Sequence, residues 1–528
     1  MKDLPRTFLL RDAETVGHAA PGAVDAFPTQ AMDRAAGAPA VRGNRLSIQF
    51  EGPLTFDAWI EAIDGAERFV HFENYVLRDD RVGHVFRDAL VAKAKQGVPV
   101  RVLYDWVGCW ATPARYWRGF HEAGVEVRAF NRPALRDPFG VLQRDHRKLV
   151  CVDGRVAFVG GFCVGVEWAG TLTNPPWRDT GVEIVGPAAA AAARSFERVW
   201  ALMGAPVPDE LRASPEDRPV AGDTPVWVIE GAPGRALVYR TIQLVAANVQ
   251  NRLWITDPYF VAPRPVAEAL GAAANDGVDV RILVPAHNNW PWVGSLSRGG
   301  YRFLIESGVR LFEWQGPMIH AKTSVADGLW GRVGSSNLNN ASLLGNFELD
   351  VGVLDEDLAR QLEGLFLADL ASSVEIVLSR HHMSFYRASE REETAGEPPT
   401  PKAPLEPEGS LPQRFRRQLL DRRRHGRSSG WKLAHLVRAG ATLGSAMAGQ
   451  RSLGREDRTL LDTVALLLVG LALFAWVLPG VLGALVAGIA GWLGLVTGVR
   501  GFIQSRRARK EESYLREVYE RLDGKSGE

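Results

Sequence analysis

A short motif that combines histidine, lysine and aspartate occurs twice in this chain of 528 residues. The two copies share the form His-x-Lys-x4-Asp and consist of His146, Lys148 and Asp153, and of His320, Lys322 and Asp327. Side chains two positions apart in an extended strand project to the same face. Each copy therefore directs one imidazole and one ammonium to the same place. Such a pair can hold a phosphate group and attack its phosphorus.

The alternative interpretation of a single His–Lys pair is a solvated pair on the protein surface. Here the internal spacing repeats, and each copy is followed by a turn of small residues, Gly160-Gly161 in the first and Gly334-Ser335 in the second. The sequence around each copy repeats as well. We therefore interpret both motifs as parts of a site that carries out chemistry.

The repeated segment extends far beyond the motif. Apolar runs over residues 69–76 and 98–103 flank a helical pattern that stops at Gly97, and the same arrangement returns over residues 253–283. Strand, helix, glycine and strand in this order indicate a parallel-sheet unit. The offset between the copies stays near 180 residues. The sequence thus predicts an α/β protein of two similar lobes, each a mixed sheet flanked by helices, with the active site between them.

An acidic residue follows each motif at an equivalent place, just before a predicted strand. These residues are Asp179 in the first half and Glu348 in the second. A carboxylate there can bind the second nitrogen of an imidazole, fix its tautomer and stabilise the imidazolium. An ordinary ion pair between a strand-end acid and a nearby arginine is the alternative. We predict the orienting role for both acids.

The composition argues against a nucleic-acid-binding protein and against a secreted, disulfide-bonded protein. The net charge is only +1, so a strongly basic, nucleic-acid-binding chain is not indicated. The three cysteines, Cys109, Cys151 and Cys163, have neither disulfide-like number nor metal-ligand spacing, which favours a reducing compartment. A short apolar run at residues 8–10 is closed at once by Arg11, too early for a secretory signal.

The paired motifs identify the chain as resembling the phospholipase D superfamily and, within it, the bacterial cardiolipin synthases. The likeness covers about residues 43–380 and includes the stretches 72–75, 104–108, 177–179 and 257–261. The chain looks more like the minor synthases, which lack two N-terminal membrane helices. One departure is Cys163, which stands where the family often has asparagine; Asn337 fills the equivalent place in the second half.

The resemblance implies a mechanism without metal or other cofactor. One histidine forms a covalent phosphohistidine, and the other protonates the leaving alcohol and then deprotonates the incoming one. By resemblance His146 is the nucleophile and His320 the acid/base; the sequence leaves the reverse open. The phosphate-binding residues implied are Lys148, Lys322 and Asn337. For Asp153 and Asp327 we expect a supporting, structural role.

The C-terminal part differs in composition from the repeats. Residues 413–458 contain basic, partly amphipathic stretches that suit an anionic membrane surface, although a solvated tail or an RNA-binding run fits them too. No charged residue lies between Asp462 and Arg500, and Pro479-Gly480 divides this run. We predict a transmembrane hairpin over 459–503 with both ends in the cytoplasm, because basic residues flank it. A buried hairpin of a soluble domain is the alternative.

These observations define a domain plan and a function. The predicted segments are a loosely ordered lead-in (1–42), lobe 1 (43–215), lobe 2 (216–387), a disordered linker (388–412), the basic segment (413–458), the hairpin (459–503) and a charged tail (504–528). The expected activity is the joining of two phosphatidylglycerol molecules into cardiolipin and glycerol at the bacterial inner membrane, with the lobes on the cytoplasmic side. Anionic phospholipids and the membrane are the expected partners, and nucleic acid is not. Hydrolysis of phospholipid, or less readily of nucleic acid, is the alternative that the motifs leave open.

Overall fold

Sixteen strands form one mixed sheet in the part of the chain that the computed structural model describes, residues 29–132, 143–171, 174–289, 291–378 and 383–387. Helices flank this sheet, so the predicted α/β class with mixed sheet and flanking helices is confirmed. No helix among the described residues is long and apolar enough to span a membrane. The predicted linker, basic segment, hairpin and tail, 388–528, lie outside the described residues.

The strands divide into two series of seven and a final pair. The first series is β1 (Val41–Gln49), β2 (Val70–Asn74), β3 (Val100–Asp105), β4 (Glu126–Phe130), β5 (Lys148–Val152), β6 (Val156–Gly160) and β7 (Gly181–Val185). The second series is β8 (Thr224–Gly231), β9 (Arg252–Thr256), β10 (Asp279–Pro285), β11 (Arg310–Trp314), β12 (Thr323–Ala326), β13 (Trp330–Gly334) and β14 (Glu348–Leu354). The final pair is β15 (Ser373–Leu378) and β16 (Met383–Arg387).

Ten α-helices connect these strands within the described ranges. They are α1 (Thr29–Ala36), α2 (Gly52–Asp64), α3 (Arg81–Lys95), α4 (Ala114–Glu122), α5 (Val166–Ala169), α6 (Pro187–Leu202), α7 (Leu237–Asn248), α8 (Arg264–Asn275), α9 (Pro291–Glu306) and α10 (Glu356–Leu370). The glycines expected to end α3 and α8, Gly97 and Gly277, have φ values of 88° and 97°, the left-handed conformation that closes a helix.

The strand order shows how the two halves are related. Read outward from the centre, the first half is β1-β7-β6-β5-β2-β3-β4 and the second is β8-β14-β13-β12-β9-β10-β11, followed by β15 and β16. The halves meet where β1 and β8 pair antiparallel. This is the order that an approximate two-fold axis between β1 and β8 produces. The sequence predicted two similar lobes but not that their sheets would join edge to edge.

Strand direction brings both motifs to one edge of the sheet. β2, β3 and β4 run parallel, as do β9, β10 and β11. β5 and β12 run antiparallel to β2 and β9, with Lys148 opposite Asn74 and Thr323 opposite Thr256. The starts of β5 and β12, which the motif histidines precede, therefore lie at the carboxyl ends of the parallel strands. Open α/β sheets bind ligands at that edge.

The lead-in predicted for residues 1–42 contains regular structure in its described part. Helix α1 has Met32, Ala35 and Ala36 buried, at the i, i+3, i+4 spacing of an amphipathic helix. Met32 and Ala36 belong to the same apolar cluster as residues of α7, and the Asp33 carboxylate accepts a hydrogen bond of 2.7 Å from the Trp227 indole. Because the segment is rich in Ala, Pro and Gly, the short apolar stripe of α1 was not recognised in the sequence.

A central apolar cluster includes residues of both halves. Helix α6 contributes Phe196 and Trp200, which are fully buried, and α10 contributes Leu362 and Phe366. A run of buried alanines in α6 lets this helix approach the sheet closely. Because the cluster draws on both series of strands, it stabilises the halves against one another as well as each half internally.

Candidate active site

Each motif histidine is held by the backbone of the opposite half. The His146 amide donates a hydrogen bond of 2.9 Å to the Phe347 carbonyl, and the His320 amide donates one of 2.6 Å to the Arg178 carbonyl. Isolated parallel bridges accompany these bonds. The segment that precedes the acid in one half is thus fixed beside the histidine of the other half.

The two acids consequently cross over between the halves. The Nδ1 atom of His320 lies 2.7 Å from Oδ2 of Asp179. The Nδ1 atom of His146 lies 3.1 and 3.0 Å from the two carboxylate oxygens of Glu348. The sequence singled out both acids as partners for an imidazole; it did not reveal that each would serve the histidine of the other half.

This pairing decides which ring nitrogen is available. With Nδ1–H directed at the carboxylate, Nε2 of each imidazole keeps its lone pair. The acids are themselves fixed: Asp179 accepts 2.8 Å hydrogen bonds from the Trp168 indole and the Thr180 amide, and Glu348 accepts one of 2.5 Å from the Ser335 hydroxyl. The orientation of each ring is therefore set before any ligand binds.

The motif lysines lie buried beside the histidines. Lys148 and Lys322 are at most 1% exposed, and each ammonium donates to the carbonyl of its own motif histidine. Arg147, between His146 and Lys148, projects to the opposite face, where the Glu73 carboxylate binds it at 2.8 Å. The alternation expected of a strand is thus present in the first motif.

Burial and charge tune the ionisation of these groups. Burial lowers the pKa of His146, and burial together with Lys322 lowers the pKa of His320 to about 3. Burial also lowers the pKa of Lys322 to about 8. Burial raises the pKa of both carboxyls, but the nearby histidines and lysines outweigh it, and each net pKa is below its usual value. Near neutral pH the unliganded site holds neutral imidazoles between carboxylates and a charged Lys322.

Aromatic rings enclose the imidazoles. The Tyr75 ring centroid lies 4.8 Å from that of His146, and the Tyr259 centroid lies 5.9 Å from that of His320. Trp168 and Trp177 flank His320 at 5.4 and 5.9 Å. Sequence reasoning did not assign these rings to the site. The available signal was that the two tyrosines recur just after the matching strands β2 and β9.

The motif aspartates lie at the far end of their strands from the histidines. β5 lies between His146 and Asp153, and its five extended residues alone span roughly 17 Å at about 3.3 Å each. The Asp153 carboxylate accepts hydrogen bonds from three successive backbone amides, Glu67 to Phe69, at 3.0, 2.7 and 2.9 Å. Asp327 does the same with Gln250 to Arg252 at 2.8 to 2.9 Å. These contacts anchor the starts of β2 and β9.

The turns that follow the two motifs carry different side chains at their matching positions. Asn337 is 5% exposed, and its amide nitrogen lies 3.4 Å from the Ser342 hydroxyl. Cys163 occupies the matching place, buried, with Sγ 4.0 Å from the Gly161 carbonyl. Burial raises the pKa of the Cys163 thiol, so it stays protonated and is a weaker hydrogen-bond donor than an amide. Among the described residues no cluster of three acidic, histidine or cysteine side chains could hold a metal ion.

The chain is similar in sequence to a family of known proteins. A family model described as "Cardiolipin synthase, PLD-like domain" matches residues 59–200 and 243–370, more than half of the chain. Cardiolipin synthase A of Pseudomonas putida (strain W619) is 36% identical over 355 residues, 66% of this chain and 73% of that protein. Cardiolipin synthase A of Pseudomonas aeruginosa (strain LESB58) is 35% identical over 352 residues, 66% and 71% of the two chains.

A solved structure agrees at the level of the fold. The phosphatidylserine synthase of Haemophilus influenzae Rd KW20 superposes with a TM-score of 0.53 at 15% identity, covering 68% of this chain and 91% of that one. Each of the two ranges that the family model matches contains one copy of the repeated motif. The chain therefore belongs to the cardiolipin synthase family of proteins with phospholipase D-like domains.

Proposed function

We propose that the protein transfers a phosphatidyl group from one phosphatidylglycerol molecule to another, forming cardiolipin and releasing glycerol. The observation that carries the proposal is the pair of imidazoles, His320 buried and His146 12% exposed, each oriented by a carboxylate of the opposite half and each accompanied by a buried lysine. Two imidazoles are what a two-step displacement at phosphorus requires. The relatives named cardiolipin synthase A support the choice of lipid.

In the first step Nε2 of His146 attacks the phosphorus of the first lipid. The N–P bond forms, the bond from phosphorus to the glycerol headgroup oxygen breaks, and His320 gives its proton to that oxygen. Lys148, Lys322 and Asn337 hold the nonbridging oxygens, whose charge grows at the pentacoordinate centre. Glycerol departs and leaves a phosphatidyl-histidine.

In the second step the terminal hydroxyl of the second lipid replaces glycerol. His320, now neutral, takes the hydroxyl proton as the oxygen attacks phosphorus, and the N–P bond breaks. Cardiolipin leaves, and both histidines return to their starting states. Asp179 stabilises the imidazolium of His320 in both steps. An acceptor held in a membrane competes with water through local concentration and orientation. We accordingly place the reaction on the cytoplasmic side of the bacterial inner membrane.

The test is product analysis with the full chain and phosphatidylglycerol vesicles. We expect cardiolipin and glycerol in equal amounts by mass spectrometry, with neither formed by the His146→Ala variant. Phosphatidic acid as the sole lipid product, with abundant phosphatidylglycerol present, would show a hydrolase instead. That outcome would overturn the proposed transfer to a second lipid, but it would remain compatible with a two-step reaction at the two histidines.

The pKa of Lys322 predicts the alkaline limb of the pH profile. A lysine whose pKa is about 8 is charged below that pH and loses its charge above it, so it then binds the anionic diester more weakly. We expect kcat/KM to fall more steeply above pH 8 than below it, by up to about tenfold more per pH unit, because kcat/KM reports the ionisation of every essential group of the free enzyme, Lys322 among them.

The control is Lys322→Arg, since a guanidinium stays charged throughout this range. We expect this variant to be less active overall, because arginine does not reproduce lysine geometry in a buried site, but to lack the limb near pH 8. An identical alkaline limb in wild type and variant would contradict the assignment.

A further inference from the structure

An apolar cavity opens beside the site in the second half. Its volume is about 280 Å³, and its apolar lining consists of Phe260, Val261, Ala262, Ala267, Phe303 and Leu304. Arg264 also lines it, but this side chain is 88% exposed and pairs with Glu268 at 2.7 Å. The volume is below the roughly 300–1,000 Å³ of pockets that take whole drug-sized ligands. The cavity therefore suits a segment of an apolar chain and not a charged headgroup.

The loop that follows β9 connects the lining of the cavity to the site along the chain. Tyr259, whose ring faces His320, is followed directly by the lining residues 260–262. The Asn339 amide holds the Tyr259 carbonyl at 3.1 Å, and the Val261 amide donates to Leu338 at 3.2 Å. This loop is thus tied to the turn that carries Asn337. Cavity and histidines lie at the same edge of the sheet.

Two of the lining residues, Gly300 and Phe303, belong to α9. A Cβ added at Gly300, which lines the cavity, would meet no atom within 4 Å. Glycine within a helix is unfavourable relative to alanine, so the open space is maintained against helix propensity. The neighbouring wall residue Phe303 is 46% exposed although it is large and apolar. Helix α9 therefore presents apolar surface that the described chain does not cover.

We propose that this cavity binds the first part of one acyl chain of the phospholipid whose phosphate lies between the histidines. The inference rests on the proposed function and adds to it a site for the tail. A diester held at the lysines has its glycerol backbone at this edge, and an apolar cavity one residue beyond Tyr259 is positioned to receive the chain. Each methylene buried there contributes roughly fourfold in affinity.

The experiment compares long-chain with dihexanoyl phosphatidylglycerol in mixed micelles, with glycerol release as the readout. Gly300→Leu fills the cavity, and the ratio of kcat/KM for long over short chains should fall about 15- to 60-fold if two to three methylenes are displaced. Gly299→Leu is the matched control: the added Cβ is equally unobstructed, but the residue points about 100° away on the helix. Its ratio should equal that of wild type.

A second filling variant, Ala267→Leu on α8, tests the opposite wall in case Gly300→Leu does not fold. An unchanged ratio in a folded variant of either wall would overturn the inference. Binding of phosphatidylglycerol with one fluorescent acyl chain separates the two proposals. Binding weakened by the filling variants, without any glycerol release by wild type, would overturn the proposed function and retain the cavity. Normal glycerol release by wild type, with an unchanged ratio of kcat/KM in the filling variants, would overturn the cavity as an acyl-chain site and retain the proposed function.

Discussion

Replacing either motif histidine with alanine should lower phosphatidyl transfer by on the order of 10⁶-fold, the scale seen when one member of a nucleophile–base unit is removed. In the proposed mechanism the two imidazoles act in sequence on one phosphorus, so neither can replace the other. The measurement is cardiolipin formed by His146→Ala and His320→Ala in phosphatidylglycerol vesicles. His121→Ala is the control, because this histidine is exposed on α4 and should leave the rate unchanged.

The same two variants show which histidine is the nucleophile and which is the acid/base. A lipid analogue with an activated leaving group such as nitrophenolate needs no acid, so His320→Ala should still accumulate a phosphatidyl adduct on His146. Peptide mapping of the quenched protein identifies the modified residue. An adduct on His320 in the His146→Ala variant would reverse the assignment, and full cardiolipin synthesis by His146→Ala would refute the mechanism.

Protonation of the acid is coupled to substrate binding in this scheme. Burial and Lys322 keep His320 neutral in the free protein, with its pKa at about 3. A bound diester brings a negative charge that offsets the lysines, and Asp179 at 2.7 Å favours the imidazolium. Asp179 already acts in the free protein, so the added negative charge of the diester is what raises the pKa of His320 in the complex. Burial lowers the pKa of His146 too, so this imidazole is neutral in the free protein, and the proposed mechanism uses it as the nucleophile.

Asp179→Asn should lower transfer by about 10⁴-fold, the effect of replacing an orienting aspartate with its amide. The amide fills the same space but can donate to Nδ1, which stabilises the tautomer with its proton on Nε2. His320 then presents the wrong atom to the substrate. Glu348→Gln should act on His146 in the same way, across the boundary between the halves.

The tautomer of each imidazole shows whether a variant loses activity because its histidine is wrongly oriented or because the protein is less stable. ¹⁵N spectra of labelled histidine should show the proton moved from Nδ1 to Nε2 of His320 in Asp179→Asn. The matched control is Asp350→Asn, on the same strand as Glu348, because this buried carboxylate binds Arg332 at 2.9 Å and no histidine. It should lower the melting temperature without altering either tautomer. Unchanged tautomers in the Asp179 and Glu348 variants would contradict the orienting role.

The sequence predicted what depends on local spacing. The motif, the small-residue turn and Gly97 are local patterns, and the strand and helix patterns around them correctly indicated an α/β protein. The joining of the halves was not predictable in this way. Alternation in β1 defines its two faces, but nothing in a strand specifies which edge will receive β8.

The same limit applies to the site. Equivalent positions in a repeat predicted that Asp179 and Glu348 would contact imidazoles, because each precedes a strand near a motif. Which imidazole each acid contacts depends on how the halves are docked, and that is a property of the interface. Tyr75 and Tyr259 were missed because an aromatic residue at a strand end is as typical of a core as of a site.

The crossing of the acids constrains how such a protein can arise. Half of this chain alone would carry a histidine and a carboxylate that do not meet, so a protein with one copy of the repeat would complete this site only as a symmetric dimer. In such a dimer every contact occurs twice, and one substitution changes both. Joining the copies in one chain removes that restriction. Cys163 and Asn337 stand in matching places, so the turns that follow the two motifs already differ from each other in this chain.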